Sequence, residues 1–67
     1  MKEPIVKGQV TEVLPNSLYR VTVEDGSKII AYLAGKLRMH HIRVIAGDGV
    51  SLVLSPDGNL GRIVYRN

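Results

Sequence analysis

Four clusters of Pro, Gly, Asn and Asp punctuate this chain: "LPNS" (14–17), "EDGS" (24–27), "GDG" (47–49) and "SPDGNLG" (55–61). Glycine and asparagine reach backbone angles that other residues avoid, and proline lacks an amide donor, so each cluster marks a turn. Between them lie apolar runs of strand length. The punctuation therefore predicts a β-protein built from short strands.

The first run, Ile5 to Val13, carries Gly8 near its middle, and glycine there marks a bulge or a barrel corner. In residues 18–24, Tyr19, Val21 and Val23 fall on one side, with Arg20, Thr22 and Glu24 on the other. Residues 28–33, "KIIAYL", follow across Asp25-Gly26. That dipeptide signals a hairpin, because a type I′ turn needs positive φ at both central positions. Residues 50–54 place Val50, Leu52 and Leu54 on one face, and residues 62–66 pair back through Asp57-Gly58. The reading is five strands: a meander of three, a hairpin of two, and residues 34–49 as the long connection between them. Within that connection Lys36 to His41 has room for one or two helical turns, which only packing can hold. An all-β, five-stranded barrel with a short helix between strands 3 and 4 is the OB-fold, which binds oligonucleotides over strands 2 and 3 and its rim loops. An SH3-like small barrel has a similar strand order and stays open as an alternative.

Sixty-seven residues make a single domain, 1–67. A chain so short buries only about 60% of the surface it exposes when unfolded. With no cysteine, disulfides cannot add a constraint, and no metal-ligand spacing is present. Closing the sheet into a barrel helps instead, since it removes exposed edges. The start, "MKEPIVKGQ", turns polar after two apolar residues, whereas a secretory signal needs roughly 7–15. Neither a signal peptide nor a membrane span is expected, and the absence of cysteine is compatible with a reducing compartment. The expected location is the cytoplasm, or the stroma if the source is a plastid.

The net charge of +3 is unevenly spread. Residues 1–27 hold the bases Lys2, Lys7 and Arg20 against the acids Glu3, Glu12, Glu24 and Asp25. Residues 28–67 hold Lys28, Lys36, Arg38, Arg43, Arg62 and Arg66 against only Asp48 and Asp57. The basic second half implies an anionic partner, nucleic acid first. A merely solvated basic face is the plain alternative. Catalysis finds no support: His40 and His41 are the only histidines, and Asp25, Asp48 and Asp57 each read as the Asp of an Asp-Gly turn. Adjacent histidines point apart on a helix, so they make a poor metal pair. No glycine-rich phosphate loop occurs, and no cofactor is expected.

The bases of the long connection are Lys36, Arg38 and Arg43; Arg62 and Arg66 flank the last strand. Arginine suits phosphate because its planar fork donates two parallel hydrogen bonds. Phosphate nearby would favour the charged forms of His40 and His41. Met39 reads as a lid over the barrel end. Coating a single strand takes several aromatic platforms, and Tyr19, Tyr32 and Tyr65 are the only aromatics, one or two of them expected in the core. Basic loops docked on a folded RNA fit the composition better, with shape and phosphate position giving specificity.

"LPNSLYRVTVEDG", "AGKLRMHHIRVIAGD" and "GRIVYR" together resemble the bacterial-type translation initiation factor 1 family, from about Val6 to Arg66. The resemblance implies a non-catalytic, monomeric OB-fold (S1-like) protein that binds 16S rRNA and adjacent protein at the decoding site of the small ribosomal subunit. There it would block the A site and support initiation factors 2 and 3, with no membrane partner. Carried over by position, it nominates Arg20, Lys36, Arg38, Arg43, Arg62 and Arg66 as RNA contacts, beside His40 and His41 from the charge reading. Relatives usually have tyrosine where His41 stands, histidine where Tyr32 stands, and a base where Gly49 stands. Their loop before the last strand usually contains Pro-Tyr-Asp and is longer than "SPDGNLG". A general RNA-binding or RNA-chaperone module is the alternative reading.

Overall fold

The computed structural model describes residues 5–40 and 43–66. Its elements are β1 (Ile5–Leu14), β2 (Leu18–Val23), β3 (Lys28–Leu33), α1 (Gly35–Met39), β4 (Gly49–Leu54) and β5 (Leu60–Arg66). The strands close into one barrel in the order β1-β2-β3-β5-β4. Neighbours pair antiparallel except β3 and β5, which run parallel. This is the OB-fold barrel read from the sequence.

Closure depends on β1, which pairs with two partners at once. Gly8 faces Val23 of β2 and Val50 of β4, and Gln9 faces Thr22 and Gly49. A β-carbon on Gly8 would lie 2.6 Å from Val21 Cγ1 and 3.0 Å from the Thr22 carbonyl oxygen. Gly8 is thus the barrel corner, where strands approach too closely for a side chain. The bulge of this strand lies further on, between Val10 and Glu12.

Strand alternation fills the interior. Val10, Tyr19, Val21, Val23, Ile29, Ala31, Leu33, Val50, Leu52 and Ile63 are buried, joined by Val44 from the long connection. Each fully buried Val, Leu or Ile contributes about 1.5–3 kcal/mol relative to exposure. Tyr19 is the core tyrosine; Tyr32 and Tyr65 are exposed.

The turns differ in detail from expectation. Asp25-Gly26 does join β2 to β3, but only Gly26 has positive φ (91°). Gly26 N–H donates to the Val23 carbonyl and Val23 N–H to the Ser27 carbonyl. This is a type I turn closed by a glycine in the left-handed region, rather than type I′. Between β1 and β2, Asn16 and Ser17 both adopt positive φ (63° and 61°). The helix is a single short segment, Gly35–Met39, so it stops short of the expected Lys36–His41 span: His40 is its C-terminal cap, and His41 lies outside the described residues.

Strand polarity sorts the connections. Residues 15–17, 34–40 and 43–48 lie at one end of the barrel, where β5 also finishes; residues 24–27 and 55–59 lie at the other.

Candidate nucleic-acid interface

The two ends differ in charge. Lys36, Arg38, His40, Arg43 and Arg66 belong to the first, against Asp48. The second carries Glu24, Asp25 and Asp57 against Lys28. A barrel polarised in this way orients itself toward a polyanion before contact.

The basic end is built in two parts. In α1, the Ala34 carbonyl accepts from Leu37 N–H at 3.0 Å and Arg38 N–H at 3.1 Å, while Ala34 N–H donates to the Ile63 carbonyl at 2.9 Å. The helix buries no residue fully. Leu37, half-buried, is its anchor on the core, and Lys36 and Arg38 on either side of it are exposed. Met39 is 78% exposed and so does not act as the expected lid. Leu37 and the buried Val44 cover this end instead. A helix of one turn puts Met39 on the side facing water once Leu37 faces in.

The second part, residues 43–48, is fastened from three sides. Val44 enters the core. Gly47 N–H donates to the Val10 carbonyl at 2.7 Å, and Val10 N–H donates to the Asp48 carbonyl at 2.9 Å. Arg66 Nη1 donates to the Arg43 carbonyl at 3.1 Å, and Arg66 Nε lies 3.6 Å from Asp48 Oδ2. The sequence suggests that Asp48 serves an Asp-Gly turn, and the structure corrects this. Gly49 opens β4, and the residue with positive φ is Gly47 (97°). The Asp48 carboxylate accepts instead from Ile45 N–H at 3.0 Å.

The nominated cations therefore divide. Among the described residues no carboxylate pairs with Lys36, Arg38 or Arg43. Arg20 lies in mid-wall on β2, its Nη1 3.2 Å from Glu12 Oε1, an exposed pair worth at most about 1 kcal/mol. Arg62 is also on the wall, opposite Tyr32 on β3 and Val53 on β4. His40 is exposed at the end of α1; His41 lies outside the described residues.

Sequence reasoning passes over one feature of the wall. Tyr32 and Leu60, 44% and 47% exposed, line a groove of about 250 Å³ with Val53, Leu54, Pro56 and Arg62. The signal is present in "KIIAYL": with Ile29, Ala31 and Leu33 turned inward, alternation sends Tyr32 out.

At the acidic end the two aspartates serve turns. Hydrogen bonds from the Ser27 backbone and side chain hold the Asp25 carboxyl below its ordinary value. The Ser55 hydroxyl and the Asn59 backbone N–H do the same for Asp57. Among the described residues no group of three His, Asp or Glu gathers as a metal would require, and no helix is long and apolar enough to cross a membrane.

Comparison with known proteins agrees with this fold. The solution structure of translation initiation factor 1 from the Wolbachia endosymbiont strain TRS of Brugia malayi matches with TM-score 0.77 and 36% identity, over 96% of this chain and 77% of that one. The crystal structure of YjeQ from Thermotoga maritima matches with TM-score 0.79 and 25% identity; 96% of this chain is covered but only 23% of that protein. A family model described as Translation initiation factor 1A / IF-1 matches residues 2–67. The chain belongs to the translation initiation factor 1A / IF-1 family.

Proposed function

We propose that this protein docks the basic end of its barrel on 16S rRNA at the A site of the small ribosomal subunit, next to small-subunit protein. It occupies that site during initiation and works alongside initiation factors 2 and 3. The observation that carries this reading is the gathering of Lys36, Arg38 and Arg43 at one end of a barrel of this family, without carboxylate partners among the described residues. Phosphate contact by these three positions the protein, and the rigid barrel supplies the shape that a folded RNA recognises. Arg20, His40 and Arg62 lie at the margin of the same surface or on the adjoining wall and are further candidate RNA contacts. His41 belongs to the proposal by sequence alone. The action is steric, and the protein acts as a monomer without a cofactor.

A competition titration tests the proposal. Labelled protein bound to purified small subunits is challenged with unlabelled small subunits or with unrelated single-stranded RNA. Selective displacement by subunits is the expected result. Equal displacement by both would favour a general RNA-binding module and refute the specific site.

A further inference from the structure

Asp48 is the only acid between residues 28 and 56, and it sits at the basic end. Facing a polyanion, a carboxylate there opposes binding on charge alone. Its contacts point to a compensating role. Oδ2 accepts from Ile45 N–H at 3.0 Å and meets Arg66 Nε at 3.6 Å. The same guanidinium holds the Arg43 carbonyl through Nη1 at 3.1 Å. Asp48 N–H also donates to the Ile45 carbonyl at 3.1 Å, so main chain and side chain close the turn together. Arg66 therefore links the carboxylate of Asp48 to the backbone of Arg43, joining the two ends of the segment. The Asp48 side chain is 21% exposed, and that of Arg66 47%.

We propose that Asp48 and Arg66 form a brace that presents Arg43 to the RNA in its docking orientation. Asp48 is then a positioning residue, and the Arg66 guanidinium serves the brace rather than a phosphate. The inference rests on the reading that Arg43 meets RNA at this end. Without the brace, residues 43–48 keep Val44 in the core and the two bonds to Val10, but Arg43 must be ordered on binding. Ordering one residue's backbone corresponds to a loss of about 5–30-fold in affinity.

The sign of the effect makes this testable. Affinity for purified small subunits is measured over a range of salt for wild type, Asp48→Asn, Arg66→Gln, Arg43→Ala and the Asp48→Asn/Arg43→Ala double variant. Electrostatics alone makes Asp48→Asn bind more tightly; the brace makes it bind about 5–30-fold more weakly. In the Arg43→Ala background the Asp48→Asn loss should vanish, because the residue it positions is gone. Arg66→Gln should weaken binding while leaving the salt slope unchanged, whereas loss of a phosphate contact would lower the slope by about 0.7–0.9. Tighter or unchanged binding by Asp48→Asn, the same loss in both backgrounds, or a lowered slope in Arg66→Gln each overturns the brace. Amide exchange of Ile45 in the free protein gives a readout independent of binding: faster exchange is expected in Asp48→Ala, which removes the acceptor that Asn would keep, and unchanged exchange refutes the contact. Wild type failing to bind subunits would refute the docking reading instead, so the two failures are distinguishable.

Discussion

Raising the salt concentration is the perturbation that reads the docking surface most simply. Lys36, Arg38 and Arg43 lie at the basic end without carboxylate partners among the described residues, while Arg20 and Arg66 are held by Glu12 and Asp48. Each phosphate neutralised contributes about 0.7–0.9 to the slope of log affinity against log salt, so three cations give about 2–2.7. Between about 50 and about 200 mM salt, affinity for small subunits should then fall about 20–40-fold. If Arg20 and Arg66 exchanged their carboxylates for phosphate as well, the slope would reach about 3.5–4.5 and the loss would exceed about 100-fold. The assay is fluorescence anisotropy with a dye on Pro56→Cys, in the turn at the opposite end of a chain that otherwise lacks cysteine. Arg38→Ala and Arg43→Ala should each flatten the slope by about 0.7–0.9. A slope near zero, or slopes untouched by both substitutions, would refute the charge-based account.

Other expectations concern the barrel. Gly8→Ala forces a β-carbon to 2.6 Å from Val21 Cγ1; such overpacking costs about 1–3 kcal/mol, a melting point lower by about 4–24 °C, and an unchanged transition would contradict the corner assignment. Ser17→Gly relieves a left-handed backbone (φ 61°) that costs an L-residue about 1–2 kcal/mol. Glycine's entropy offsets about half of this, so thermal denaturation should show a small stabilisation, and destabilisation would refute the strain. Asp25 and Asp57 are held below their ordinary carboxyl value of 3.8 in the folded state. Their contribution is therefore present at neutral pH and lost as pH falls below about 3.8 through the folded values. Acid unfolding of the Asp25→Asn/Asp57→Asn variant should depend less on pH in that range, and an identical acid profile would remove these turns from the linkage.

Much of the barrel is legible in the sequence because burial has a period of two residues. The alternation of Tyr19, Val21 and Val23, and of Val50 and Leu52, reports an inner face directly. The meander and the hairpin follow from turn chemistry, whereas the β3–β5 and β1–β4 pairings that close the barrel do not; the resemblance carries the family. Three-dimensional proximity is harder to read. Nothing near Asp48 in the chain announces Arg66, since only the pairing of Val50 with Arg66 across β4 and β5 brings them together. The Asp-Gly spelling at 48–49 points to the wrong turn, because Gly47 supplies the positive φ. A glycine in a strand permits either a bulge or a close crossing, and only the double pairing of β1 makes Gly8 the crossing. The apolar character of Met39 suggests a lid, but a one-turn helix seats a single side chain well, and Leu37 takes that place.

The central claim is that the basic end of this barrel occupies the decoding site, and chemical probing of 16S rRNA in purified small subunits tests it most directly. At saturating protein, the account predicts changed reactivity at A-site nucleotides, lost with the Arg38→Ala/Arg43→Ala variant at the same concentration. Unaltered A-site reactivity with the folded wild-type protein bound would contradict it.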